Sequence, residues 1–114
     1  MLMDLGAFST IAQHRPANLS IVILDNEQYA ETGMQQTATG FGTDLAEVAR
    51  ACGLKDAVTV ISDDALPSLR SKLTARAGTV VVVLKILPGD QPRTVPERDG
   101  AVIAERFIQA LQRA

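Results

Sequence analysis

Five consecutive apolar residues, Val80 to Leu84, sit in the segment TVVVVLKI (79–86), and four of the five are valine. β-Branched side chains restrict χ1 against a helix and favour a pleated strand. An unbroken apolar run, rather than an alternating one, leaves neither face of that strand suited to water, so it belongs inside a sheet covered on both sides. The run is also far shorter than the roughly 20 residues a membrane-spanning helix needs, and no membrane partner is expected. Two shorter β-branched runs, LSIVIL (19–24) and AVTVI (57–61), read as companion strands.

Between them the apolar spacing changes to that of helices. Leu5, Phe8 and Ala12, with Leu2 and Ile11 beside them, form one stripe of an opening helix that Pro16 helps to end. Asp44 followed by Glu47 has capping-box spacing and starts a helix carrying Leu45, Val48 and Ala49, which Gly53 can close. Ser62 is expected to cap a third helix, with Asp63 and Asp64 in its first turn, Leu66, Leu69 and Leu73 on its apolar stripe, and Arg76 in its last turn. A proline-rich stretch, 88–96, leads to a final helix with Ile103, Phe107 and Leu111 directed inward. The order α-β-α-β-α-β-α predicts an α/β fold, a three-layer α/β/α arrangement with a small parallel sheet, as one domain over residues 1–114.

The 114 residues carry a net charge of −2 and only 4% aromatics, which supplies neither a basic face nor stacking rings, so no nucleic-acid partner is expected. Cys52 is the single cysteine, which rules out an intrachain disulfide and fits a reducing compartment. The first residues carry Asp4 where an export signal carries Lys or Arg, and a cytoplasmic location is expected.

Chemistry is sought at the carboxyl ends of the strands, where ligands bind in open parallel sheets. The first strand ends in Asp25-Asn26-Glu27-Gln28-Tyr29 and enters a long polar loop, 26–43, and loops of that length are often functional. From spacing alone, Asp25-Asn26 reads first as a strand-ending turn, since both residues favour such positions. It also offers hard oxygens suited to Mg²⁺, from the Asn side chain and a backbone carbonyl two residues on. His14 ends the first helix, where it suits the helix dipole. Cys52 reads as a small buried residue, Asp63-Asp64 as helix-start charges, and Gly40-Phe41-Gly42 lacks the context of a dinucleotide motif.

The opening residues 1–7, the stretch 18–33, and Asp44-Leu45 with Ala51-Cys52-Gly53 together resemble the diphosphate-binding domain of thiamine-diphosphate-dependent decarboxylases, in the phosphonopyruvate and sulfopyruvate decarboxylase branch. The likeness runs through nearly the whole chain, and residues 25–36 are its most specific part. It implies a partial thiamine-diphosphate-binding fold, with thiamine diphosphate and Mg²⁺ as cofactors. The family's metal motif runs from Gly-Asp-Gly, through roughly 25 to 30 residues, to Asn-Asn. Asp25-Asn26 corresponds to that Asn pair, so Asn26 is implied as a metal ligand through its side chain and Gln28 through its carbonyl. Tyr29, Glu31 and Thr32 are implied beside the diphosphate and its covering loop. Gly33-Met34-Gln35 departs from the Gly-Gly-Gln of the branch.

By the same resemblance the Gly-Asp-Gly falls before Met1, so an N-terminally truncated domain is expected. The glutamate that activates the thiamine ring is implied on a separate pyrimidine-binding domain. The chain itself is expected to supply no catalytic residue. The function implied is part of a thiamine-diphosphate-dependent 2-oxo acid decarboxylase, contributing to Mg²⁺-diphosphate binding and requiring a pyrimidine-domain partner. The other reading is a non-catalytic domain that binds no cofactor and self-associates through an unpaired sheet edge, and a homo-oligomer is expected on that ground.

Overall fold

The structure, a computed structural model, describes residues 2–89 and 94–113. Asp90, Gln91, Pro92 and Arg93 of the proline-rich stretch lie outside the described residues. Four helices are seen: α1 (Gly6–His14), α2 (Leu45–Ala51), α3 (Leu66–Thr74) and α4 (Gly100–Gln112). The strands are β1 (Ser20–Asp25), β2 (Gln28–Tyr29), β3 (Gln35–Gln36), β4 (Ala57–Val60) and β5 (Val80–Lys85). Three of them form a parallel sheet in the order β1-β5-β4, so the most apolar segment takes the centre as its composition requires.

The alternation of side chains along β5 divides the core in two. Val81 and Val83 face one side, where they pack with Phe8 of α1, Leu45, Ala46 and Ala49 of α2, Leu54 and Ala57. Val80 and Val82 face the other, against Leu69 of α3, with Val58, Val60 and Leu73 around them. Val81, Val82 and Val83 are fully buried, and each contributes about 1.5–3 kcal/mol relative to exposure. The expected three-layer α/β/α arrangement is present.

Local chemistry accounts for the element ends. Asp44 caps α2, its Oδ1 accepting from the N–H groups of Ala46 at 2.8 Å and Glu47 at 3.1 Å. Arg15 ends α1 in the left-handed conformation, and its N–H bonds the Ile11 carbonyl. Ser62 opens a 3₁₀ turn, Asp63–Ala65, that precedes α3 rather than forming its first turn. Arg76 lies beyond the last residue of α3 at φ 50°, not in its last turn as expected.

Three further expectations are corrected. Ile103, Phe107 and Leu111 of α4 do not point inward: no residue of α4 is buried, and Phe107 is 64% exposed. The helix is amphipathic as its spacing predicts, but neither core cluster takes in any of its residues. Second, β1 is not covered on both faces. Ile21 and Ile23 pack on the α1–α2 side, whereas Val22 and Leu24 are 44% and 64% exposed because α3 lies over β4 and β5. Third, segment 26–43 is not a plain loop, since β2 and β3 pair antiparallel within it, with 3₁₀ turns at Ala30–Thr32 and Ala38–Phe41. No helix among the described residues is long and apolar enough to cross a membrane.

Candidate functional site

The register of the parallel sheet sets Asp25, the last residue of β1, opposite Lys85, the last residue of β5. Lys85 Nζ donates to Asp25 Oδ2 at 2.8 Å and to Glu27 Oε1 at 2.6 Å. Asp25 is 7% exposed, and its other oxygen accepts from the Thr39 hydroxyl at 2.7 Å and the Glu27 N–H at 3.0 Å. Thr37 and Thr39 hydroxyls lie 2.7 Å apart. A hydroxyl has one proton, and that of Thr39 goes to the carboxylate, so Thr37 donates to Thr39. The side-chain polar groups of Asp25, Lys85, Thr39 and Thr37 are therefore all paired, as burial demands.

Burial pushes the Asp25 carboxyl up, but bonds from Lys85, Thr39 and the Glu27 N–H outweigh it and hold the group below the ordinary aspartate range. Burial likewise pushes the Lys85 ammonium down, and the two carboxylates outweigh it and raise it. Both groups are charged at neutral pH. Asp44 behaves as Asp25 does: desolvation raises it, and the Glu47 and Ala46 N–H groups with the Thr59 hydroxyl bring it down.

Beyond this ion cluster the chain turns sharply. Glu27 has φ 60°, a left-handed conformation unusual for its type, and Asn26 Oδ1 accepts from the Gln28 N–H at 3.1 Å. The N–H of Thr37 donates to the Glu27 carbonyl at 2.9 Å. In an antiparallel ladder hydrogen-bonded and non-bonded pairs alternate, so Gln28, opposite Gln36, directs its carbonyl away from β3. Its side-chain Oε1 is buried and has no hydrogen-bond partner, which costs about 1–3 kcal/mol unless a ligand supplies a donor or a cation.

A cleft of about 430 Å³ opens at this end of the sheet, bordered by Asp25, Asn26, Gln28, Gln36, Lys85 and Leu87 among others. A smaller one of about 180 Å³ lies on the other side of the Asp25–Lys85 pair, bordered by Thr39, Asp44 and Thr59. The position at the carboxyl ends of β1 and β5 is where open parallel sheets bind ligands. Asn26 and Gln28 thus come together at the larger cleft. Tyr29, Glu31 and Thr32 do not border it: they lie further along the hairpin, exposed, with the Thr32 hydroxyl bonded to Gln35 Oε1 at 2.9 Å.

The oxygens gathered here suit a hard divalent cation. Asn26 Oδ1 retains a second lone pair, the Gln28 carbonyl faces away from its ladder, and Gln28 Oε1 is unpaired. All three are neutral, and among the described residues no group of three or more His, Cys, Asp or Glu side chains could hold a metal alone. The negative charge for such a cation would arrive with its phosphate ligand, the usual arrangement for Mg²⁺.

Lys85, Thr37 and Thr39 were not singled out from the sequence. A lone charge inside TVVVVLKI was the available signal for Lys85. The remaining candidates stay structural. His14 closes α1, and Cys52 is half-buried rather than buried, its sulfur 3.5 Å from the Ser9 hydroxyl.

The profile of the family described as "Thiamine pyrophosphate enzyme, C-terminal TPP binding domain" matches residues 1–84. Sulfopyruvate decarboxylase subunit beta of Methanocaldococcus jannaschii is 33% identical over 114 residues, covering 100% of this chain and 60% of the relative. The protein of the same description from Methanothermobacter thermautotrophicus is 37% identical, covering 100% and 58%. Phosphonopyruvate decarboxylase of Streptomyces viridochromogenes is 35% identical over 112 residues, covering 94% of this chain and 27% of the relative. The chain thus spans about 60% of the length of the beta subunits it matches. No solved structure matches it.

Proposed function

Because the chain belongs to the thiamine pyrophosphate enzyme, C-terminal TPP-binding domain family, we propose that residues 1–114 act as one domain contributing the Mg²⁺-diphosphate end of a thiamine-diphosphate-dependent 2-oxo acid decarboxylase. The observation that carries this reading is the turn in which the Gln28 N–H donates to Asn26 Oδ1, beside the unpaired, buried Gln28 Oε1. Asn26 holds Mg²⁺ through its side chain and Gln28 through its carbonyl. Tyr29, Glu31 and Thr32 border the diphosphate from the exposed arm of the hairpin. The cofactor supplies the electron sink for loss of CO₂. The protein's own part is to bind and orient. Asp25 and Lys85 hold the floor of the site.

The cleft residues bind and orient, and a pyrimidine-binding partner subunit completes the active unit. Similarity to proteins described as beta subunits of sulfopyruvate decarboxylase supports that reading. Titration calorimetry of the full chain with Mg²⁺ and thiamine diphosphate tests it, with and without such a partner. Saturable heat that Asn26→Ala abolishes is the expected result, and no heat in either case sinks it.

A second reading, a non-catalytic domain that self-associates, rests on β1. Its outer edge has no partner strand among the described residues, and Val22 and Leu24 stand exposed on it. An open edge is a template for pairing with another chain. Analytical ultracentrifugation of the protein at tens of micromolar tests it: self-association without cofactor heat selects this reading, and a monomer removes it.

A further inference from the structure

Glu27 is held at three points in a conformation it does not favour. Its N–H donates to Asp25 Oδ1 at 3.0 Å, its carbonyl accepts from the Thr37 N–H at 2.9 Å, and its carboxylate accepts from Lys85 at 2.6 Å. The first two are backbone ties that any residue could make. The third depends on the side chain, and its anchor is a residue on the central strand of the sheet. A left-handed L-residue is disfavoured by its Cβ, so φ 60° at Glu27 persists only while its surroundings enforce it. That one dihedral sets the directions of the two residues flanking it, Asn26 and Gln28.

From this we propose that Lys85 is a positioning residue: by clamping Asp25 and Glu27 together it fixes the left-handed turn that presents Asn26 Oδ1 and the Gln28 carbonyl to one point. The inference rests on the proposed role of those two oxygens in holding Mg²⁺-diphosphate, and goes beyond it by assigning Lys85 an action through Glu27. Lys85 does not touch the ligand. An ammonium occupied by two carboxylates at 2.8 and 2.6 Å has little capacity left to serve as a direct phosphate contact. Nor is it only a fold-stabilising ion pair, because Asp25 alone would satisfy that role while Glu27, 47% exposed in its side chain, could have remained in water.

The test uses a substitution that frees the turn from the need for a clamp. Glycine adopts φ 60° without strain, so Glu27→Gly should restore what Lys85→Met removes. In the full chain, Lys85→Met is expected to weaken binding of thiamine diphosphate with Mg²⁺ about tenfold. In the ligand-free protein it should shift the backbone and side-chain amide resonances of Asn26 and Gln28. The double variant Lys85→Met/Glu27→Gly should bind within about threefold of the parent, and Lys85→Arg, which keeps the cation, should bind likewise. If Lys85→Met weakens binding while the ligand-free Asn26 and Gln28 amides stay in place, Lys85 attracts the anion directly and the proposal falls. It also falls if the double variant binds no better than the single one.

Should Lys85→Met fail to fold, Glu27→Ala serves, since it removes the second acceptor of the clamp while leaving Asp25 paired; binding of thiamine diphosphate with Mg²⁺ equal to that of the parent overturns the proposal. If the parent protein binds no cofactor, the proposed function fails, and the ligand-free amide shifts still decide the role of Lys85.

Discussion

Asp25 and Lys85 face one another as the last residues of two parallel strands, with Lys85 Nζ 2.8 Å from Asp25 Oδ2, although 60 residues separate them in sequence. Their pairing is direct evidence of register, because a slip of one strand by one residue would put the two side chains on opposite faces of the sheet. It also places the charged groups at the mouth of a cleft, where Glu27 joins them and Asn26 and Gln28 add neutral oxygens.

The pair makes stability depend on pH in a defined direction. The Asp25 carboxyl lies below its ordinary value in the folded protein, so its contribution is present above the unfolded value and lost as pH falls through the folded one. Urea midpoints should therefore hold steady near neutrality and drop below about pH 4. Lys85 lies above its ordinary value, so its contribution is present below that value and lost only as pH rises beyond about 10.4. Asp25→Asn should cost about 1–3 kcal/mol at pH 7 and flatten the acid limb. An acid limb of unchanged slope would refute the assignment.

Gly40 is closely approached by one side chain. A Cβ placed there would lie 2.6 Å from Gln36 Cγ and 2.7 Å from its Nε2. The Gln36 side chain is drawn in by its own bond, Nε2 donating to the Gly40 carbonyl at 2.8 Å. Gln36 is exposed and can swing aside at the loss of that bond, so Gly40→Ala should destabilise by about 0.5–1.5 kcal/mol. Shortening Gln36 to alanine should remove most of that penalty, so the double variant falls near Gln36→Ala alone. Denaturant unfolding of the four proteins measures the coupling, and additive losses would show that the clash does not exist.

The sheet was legible because its signals are local. The valines of β5 announce a doubly buried strand, and Asp44 followed by Glu47 announces the start of α2. The same reasoning failed on α4, where the stripe Ile103, Phe107 and Leu111 says that one face is apolar but not what, if anything, it meets. It missed the β2–β3 pairing because Gln28, Tyr29, Gln35 and Gln36 have no alternating apolar pattern and are joined by turn geometry alone. Asn26 and Gln28 were singled out by resemblance, and both border the cleft. Lys85 was not, since its two partners lie 60 and 58 residues away and only the register of β1 against β5 brings them within reach.

Asp44 joins helix and sheet through one oxygen. Its Oδ1 accepts from the N–H groups of Ala46 and Glu47 at the start of α2 and from the Thr59 hydroxyl of β4 at 3.2 Å. Loss of an N-cap side chain costs about 0.5–2 kcal/mol. Asp44→Ala should fall at the upper end of that range, because the Thr59 hydroxyl loses its acceptor too, while Thr59→Val should cost less. Asp44→Asn, which keeps an oxygen in place, should recover much of the loss at neutral pH. Thermal unfolding of the three variants checks the order, and an Asp44→Ala protein as stable as the parent would show that the cap contributes nothing.

Met34 stands where the resemblance expects the second glycine of Gly-Gly-Gln, and its backbone is at φ 63°, just after Gly33 at φ 117°. Its N–H donates to the Tyr29 carbonyl at 3.0 Å, which closes the hairpin and keeps the residue in the left-handed region. An L-residue there carries a penalty of roughly 1–2 kcal/mol. Met34→Gly removes it, against about 0.5–1 kcal/mol of extra freedom in the unfolded chain. The Met34 side chain is 39% exposed and absent from both core clusters, so little packing is lost. The variant should be more stable by about 0.5–1 kcal/mol, a rise in melting temperature of a few degrees for a domain of this size. Gly33→Ala, at a φ that alanine tolerates poorly, should move in the opposite direction. A lower melting temperature for Met34→Gly would mean that the methionine side chain contributes packing at the hairpin that outweighs its backbone strain.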